Sequence, residues 1–293
     1  MEIADYRRFY AEEIQYAGNL DSPALVEAFA RVPREKFLGP GPWQTPFLNI
    51  LSSPASEPQH TTIEDPRHLY HNIAVAIDPA RGLNNGHPSS LARWINALSL
   101  QPGDRVFHLG AGVGYYTAIM TELVGPSGTV TASEVDPDLA ARARANLSNY
   151  PNVTVFACDG AEIGAGPLDG DTFGAIFINA GVTHPHPPWL QRLSDGGRII
   201  FPLTVARGNT STGIGVMLKI TRTGDHFAAQ VASDVAIYSC TSVRDPAIEP
   251  LIANALKTIS TDSPQKLKSV RLDQHEQTGT CILHRQDVCL SGE

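Results

Sequence analysis

Over the first 40 residues the apolar positions recur at helical spacing. Asp5 to Tyr16 forms an amphipathic stretch of mixed charge. Ser22-Pro23 then opens a second helix through Leu25, Val26, Phe29 and Ala30, with serine as N-cap and proline at the first helical position. Residues 38–68, rich in Pro, Ser and Gly, show no period and predict a long irregular segment. From residue 88 the pattern becomes regular. It predicts a helix over Ser89–Leu98, a strand over Arg105–Leu109, a helix over Tyr115–Val124, a strand over Gly128–Ser133 and a helix over Pro137–Leu147. Strands at Val153–Ala157 and Phe173–Ile178 follow, then a helix at Pro188–Leu193 ended by Asp195-Gly196-Gly197, then a strand at Arg198–Pro202. Strands alternating with helices imply a parallel sheet with right-handed crossovers.

The tail changes character. Gly213–Thr221 and Phe227–Ser239 read as antiparallel strands around Thr223-Gly224-Asp225, Pro246–Ile259 as a helix, and Lys266–Leu272 and Gly279–His284 as further strands. The chain thus divides into an N-terminal helical and irregular part (1–87), a core (88–203) and an extension completing the sheet (204–293). With 293 residues, 42% hydrophobic and 18% charged, the composition is that of a globular protein. A net charge of −8 argues against broad nucleic-acid binding, which needs Lys and Arg to neutralise phosphates. No apolar run reaches the ~20 residues of a membrane helix. The first residues lack the basic-then-apolar pattern of a secretion signal, so a cytoplasmic location is expected. Cys158, Cys240, Cys281 and Cys289 form no Cys-x-x-Cys pair, and this spacing predicts free thiols and no metal site.

Candidate chemistry centres on Val106 to Tyr115, where an apolar run leads into Gly110-Ala111-Gly112-Val113-Gly114. Glycine permits a tight turn and close approach of backbone to a ligand. The third glycine comes one position too early for a dinucleotide loop, which disfavours an NAD-dependent oxidoreductase and suits a cofactor without a pyrophosphate, such as S-adenosyl-L-methionine. Glu134, 20 residues on and followed by Val135, ends the next strand, where a carboxylate accepts from ribose hydroxyls. Asp159-Gly160 ends the third strand, where a carboxylate accepts from an adenine amino group, and Asn179 ends the fourth. Strand C-terminal ends are where open parallel sheets bind ligands. The expected cofactor contacts are therefore Gly110, Ala111, Gly112, Gly114, Tyr115, Glu134, Val135, Asp159, Gly160 and Asn179, with His108 at the start of the loop.

These pieces resemble the protein-L-isoaspartate O-methyltransferases over residues 20–203. The resemblance is carried by Val32-Pro33-Arg34-Glu35-Lys36-Phe37, the loop from Gly110 to Tyr116, Asp159-Gly160, Ala180-Gly181, and Leu193 to Pro202. It implies a Rossmann-like class I methyltransferase, an α/β fold with a seven-stranded, mostly parallel sheet flanked by helices, and S-adenosyl-L-methionine as cofactor. The family carries a Gln-Thr-x-Ser segment whose hydroxyl meets the reacting carboxylate. Here Gly82-Leu83-Asn84-Asn85-Gly86-His87-Pro88 stands in its place, with Asn84 for the threonine and Gly86 for the serine. The leading expectation is therefore methylation of another acceptor, a carboxylate of a peptide or small metabolite. Genuine isoaspartate methylation and a non-catalytic cofactor- or partner-binding protein are the alternatives.

On the acceptor side, Asn84, Asn85, Ser89 and His184 are candidate substrate contacts. His87 is the candidate base, with Asn85 beside it as a second catalytic candidate. A carboxylate acceptor is ionised at neutral pH and needs no base, whereas a phenol or amine benefits from one.

Overall fold

The computed structural model describes residues 1–46, 60–162, 172–208, 210–259 and 266–293. The N-terminal part contributes helices α1 (Ile3–Gly18), α2 (Pro23–Arg31) and α3 (Glu35–Leu38). Ser22 caps α2 through Leu25 N–H, with Pro23 in the first turn, as its sequence predicts. Short strands β1 (Trp43–Pro46) and β2 (His60–Ile63) pair antiparallel within the stretch read as irregular, whose residues 47–59 lie outside the described ones. β3 (Ala76–Asp78) and β4 (Leu83–Asn84) make a second small ribbon.

The regular core follows as α4 (Pro88–Ala97), β5 (Arg105–Leu109), α5 (Tyr115–Val124), β6 (Thr129–Ser133), α6 (Pro137–Asn146), β7 (Val153–Phe156), β8 (Phe173–Ile178), α7 (Pro187–Gln191) and β9 (Leu193–Ala206). The last begins earlier than expected. Asp195-Gly196-Gly197 lies inside it rather than ending α7, and the ladder to β8 shifts register there. The tail adds β10 (Thr212–Thr223), β11 (His226–Tyr238), α8 (Glu249–Thr258), β12 (Ser269–Arg271), β13 (Cys281–His284) and β14 (Cys289–Ser291).

The large sheet runs β13-β14-β12-β11-β10-β9-β8-β5-β6-β7. The five strands from β9 to β7 are parallel, and the others join antiparallel. The expected seven strands are present as β5 to β11, and three short tail strands widen the sheet beyond them. Because β5 is covered on both faces, Val106 to Leu109 are all buried, His108 among them, with Val106 entering one core and Phe107 the other. The first core joins α1, α2, α4, α5 and α6, through residues such as Tyr10, Phe29, Trp94 and Ile119. The second joins α7, α8 and the tail through Trp189, Ile252, Leu283 and Leu290. No described helix is long and apolar enough to cross a membrane.

The cysteines are free thiols, as expected. Their spacing alone predicts no ligand cluster, yet the tail folds so that ligand atoms of His275, Cys281, His284 and Cys289 lie within 4.8 Å of one another.

Candidate cofactor and acceptor site

The C-terminal ends of β5, β6, β7 and β8 open onto a cavity of about 390 Å3. Its floor is the glycine loop. Gly114 caps α5 with a φ of +89°, and a Cβ there would come within 2.8 Å of Leu147, so both backbone and packing demand glycine. The loop is held from two sides. Glu134 accepts from Gly112 N–H at 2.8 Å, and Asn146 Nδ2 donates to Val113 O at 2.9 Å and Phe37 O at 3.1 Å.

Glu134 is 8% exposed, and its other oxygen accepts from Asp136 N–H at 3.1 Å. Burial pushes its carboxyl upward, opposed by these backbone hydrogen bonds. Asp136 caps α6 through Asp138 and Leu139 N–H and pairs with Arg81, whose Nε also meets Asp78 at 2.6 Å. Arg142 donates to Ile77 O at 3.1 Å, so the β3–β4 ribbon is tied down along the cavity rim. Opposite, Asp159 Oδ1 accepts from Ala161 N–H and from the Ser242 hydroxyl, both at 2.9 Å, leaving Oδ2 as the remaining acceptor. Asn179 N–H donates to Leu109 O, which continues the strand end into the cavity wall.

Of the residues expected from sequence, Gly110, Ala111, Gly112, Tyr115, Glu134, Val135, Asp159, Gly160, Asn179, Asn84 and Asn85 line this cavity together. Five do not. Gly114 shapes the loop from behind, against Leu147. His108 is fully buried in the core, its Nδ1 2.9 Å from the Thr117 hydroxyl and its ring stacked on Phe177. Burial alone brings its pKa down to about 3, so it is a neutral core residue rather than a cofactor ligand. His87 is the N-cap residue of α4, 3.3 Å from Ser89 Oγ, outside the cavity lining. Burial lowers its pKa, helped by Arg34. Ser89 is held in a two-way clasp with Asn72. His184 rests on the Thr183 hydroxyl, its pKa brought down to about 4 by burial and by Arg285.

The lining also contains residues that the sequence did not single out: Arg81, Ser133, Cys158 and, from the end of β11 onward, Tyr238 to Thr241. An isolated bridge between Gly181 and Ser239 places that end of β11 beside the cavity. The cluster Ser239-Cys240-Thr241-Ser242 was the available signal, but only the strand order reveals that it faces the cofactor loop.

The acceptor segment is carried by Arg34. Its fully buried guanidinium donates to Leu69 O and Ile73 O, each at 2.6 Å, to His71 O at 3.1 Å and to Asn85 Oδ1 at 3.3 Å. Asn85 Oδ1 accepts from Val75 N–H at 2.8 Å as well, while its Nδ2 is buried without a partner. Gly86 has a φ of +78°, and a Cβ there would lie 2.7 Å from Leu91 Cδ2.

A sequence model of the protein-L-isoaspartate(D-aspartate) O-methyltransferase family matches residues 9–236. A protein-L-isoaspartate O-methyltransferase of Ignicoccus hospitalis is 28% identical over 221 residues, spanning 75% of this chain and 89% of the relative. One from Roseiflexus castenholzii is 31% identical over 190 residues, spanning 64% and 81%. A solved protein-L-isoaspartate O-methyltransferase superposes with a TM-score of 0.62 at 18% identity, covering 98% of this chain and 88% of that one. A Plasmodium falciparum structure assigned to the same activity, in complex with S-adenosyl-L-homocysteine, gives 0.59 at 18% identity, covering 80% and 98%. At such identity the two structures speak for the fold.

Proposed function

The chain belongs to the protein-L-isoaspartate O-methyltransferase family, and from that premise we propose that it methylates a free carboxylate of a peptide or protein, an isoaspartyl residue being the acceptor. The family match moves the weight from an unrelated acceptor to the one its relatives are named for. The enzyme is an S-adenosyl-L-methionine-dependent methyltransferase, and the residues present fit that cofactor. Glu134 offers a buried carboxylate to a ribose diol, Asp159 Oδ2 is an acceptor for an amino group, and Ser133 Oγ is buried at the lining without a partner. When bound, the cofactor supplies an electrophilic sulfonium methyl group.

The chain's own residues then have to seat and orient an anion, since a carboxylate arrives ionised and needs no base. Asn85 is the observation that carries this reading. Its carbonyl is pinned by Val75 N–H and Arg34, so a buried amide donor remains at the cavity wall with a guanidinium behind it. A donor backed by positive charge favours a carboxylate over a neutral or cationic acceptor. No histidine lines the cavity among the described residues, so the sequence-expected base His87 has no part in this scheme.

A second reading keeps the same chemistry with a different carboxylate. It is favoured by Gly86, whose positive φ and contact with Leu91 leave no room for the hydroxyl that the family pattern carries there. The test is transfer of labelled methyl from S-adenosyl-L-methionine to an isoaspartyl peptide and to its aspartyl twin. Base-labile methyl ester on the isoaspartyl peptide alone supports the first reading. Ester on both peptides would support a broader carboxylate acceptor, and ester on neither while the cofactor binds would remove isoaspartate as the acceptor.

A further inference from the structure

The tail contains a cluster that methyl transfer does not use. β13 and β14 are joined by a tight connection in which Arg285 N–H donates to Val288 O at 3.0 Å, and the ladder sets His284 opposite Cys289. Cys281 lies three residues before His284, which on a regular strand would send the two side chains to opposite faces. The register shift between Cys281 and Leu283 inserts one residue on β13 and reverses that parity. His275 comes in from the segment between β12 and β13. Its ring centroid is 4.8 Å from that of His284, and its Nε2 is 3.6 Å from Cys281 Sγ.

We propose that His275, Cys281, His284 and Cys289 form a closed, four-coordinate zinc site that fastens the end of the chain to the sheet. Their ligand atoms lie within 4.8 Å of one another. Around zinc, with bonds of about 2.3 Å to sulfur and about 2.0–2.1 Å to nitrogen, tetrahedral neighbours stand about 3.3–3.8 Å apart, so about 1 Å of side-chain contraction completes the sphere. Two thiolates with two imidazoles select zinc over magnesium or calcium, which take oxygen ligands.

The surroundings are those of ligands rather than of idle side chains. His275 Nδ1 is 2.9 Å from Asp273 O, so its Nδ1–H donates there and leaves Nε2 bare toward Cys281. Thr278 N–H donates to Cys281 Sγ at 3.3 Å, support that a thiolate requires. His284 Nδ1 is buried with no hydrogen-bond partner. Four protein ligands leave no open position, which marks a structural metal rather than a catalytic one. The strand order agrees, placing β11 to β8 between the cluster and the strands that carry the glycine loop and the two acids. Neighbouring Leu283, Val288 and Leu290 are buried in the second core, so metal binding and docking of the tail are one event.

The test is metal analysis of the full chain, purified under reducing conditions without chelator. About one zinc per chain is expected. Cys289→Ser and His284→Asn should lose it, with circular dichroism reporting whether they fold. The wild-type chain, stripped and titrated with Co2+, should develop the visible spectrum of a tetrahedral cobalt thiolate, and Zn2+ should abolish that spectrum. This second arm decides the matter even where a variant does not fold. Stoichiometric iron or copper in place of zinc would overturn the assignment. A metal-free chain that gives no cobalt spectrum would overturn it too, as would full zinc retention in Cys289→Ser or a Cys281–Cys289 disulfide in the reduced preparation.

Discussion

Arg34 shows how much work a single side chain in a short motif can do. Four hydrogen bonds from its guanidinium hold residues 69–73 and Asn85 in place, yet nothing in Val32-Pro33-Arg34 itself says where those partners lie. Replacing it with Met keeps the bulk and leaves the Leu69 and Ile73 carbonyls without their donors, while His71 O keeps Ile73 N–H. Arg34→Met is expected to cost about 3–5 kcal/mol, read from the urea midpoint. The two acids and the glycine loop were legible because their signal is local, a spacing along consecutive strands. His108 was not. Its place in the loop suggested a ligand, but a β-strand side chain points to one face or the other, and this one points into the core. Its folded pKa of about 3 lies below the ~6.5 of an unfolded histidine, so between these values the unfolded chain binds more protons. Stability should therefore fall as pH drops from about 6.5 toward 3. In His108→Gln that slope should be shallower, as measured by denaturation at a series of pH values.

Among the elements, β5, α5 and β8 begin and end where their sequences predict, since each combines a buried apolar face or run with glycine or polar boundaries. β3 and β4, three and two residues long, are too short to carry a period and exist only through pairing. The Asp195-Gly196-Gly197 turn signal was misleading because glycines also serve bulges, and here the strand continues through them. The same reasoning bears on the acceptor segment. Restoring the family hydroxyl with Gly86→Ser forces a side chain onto a φ of +78° and against Leu91. It should cost about 1–3 kcal/mol in thermal or chemical unfolding and raise no isoaspartyl activity. The β3–β4 ribbon depends on Arg81, which joins Asp78 to Asp136 at the cavity rim. Arg81→Ala should leave the unfolding midpoint almost unchanged, because the pairs are partly exposed, and should raise the KM for S-adenosyl-L-methionine in steady-state kinetics.

At the scale of the whole molecule, the strand order explains what the sequence reading missed. A sheet continued by β10 and β11 brings Tyr238 to Ser242 back beside Gly181, so the tail supplies one wall of a cavity whose floor was encoded more than a hundred residues earlier. That closure was invisible to spacing arguments because it depends on long-range pairing; the cluster at β13 and β14 is local, but a register shift rather than regular spacing brings Cys281 and His284 to one side. The donor half of the site is local and the acceptor half is not, and for that reason the cofactor could be read from the sequence while the acceptor could not. Glu134 and the glycine loop are proposed to hold the cofactor. Titration calorimetry with S-adenosyl-L-homocysteine tests this proposal most directly, comparing the wild-type chain with Glu134→Ala and using NAD as the control ligand. One equivalent should bind the wild type, the variant should bind about five- to 150-fold more weakly, and NAD should give no heat. Equal affinity in the variant, or heat from NAD and none from S-adenosyl-L-homocysteine, would contradict it.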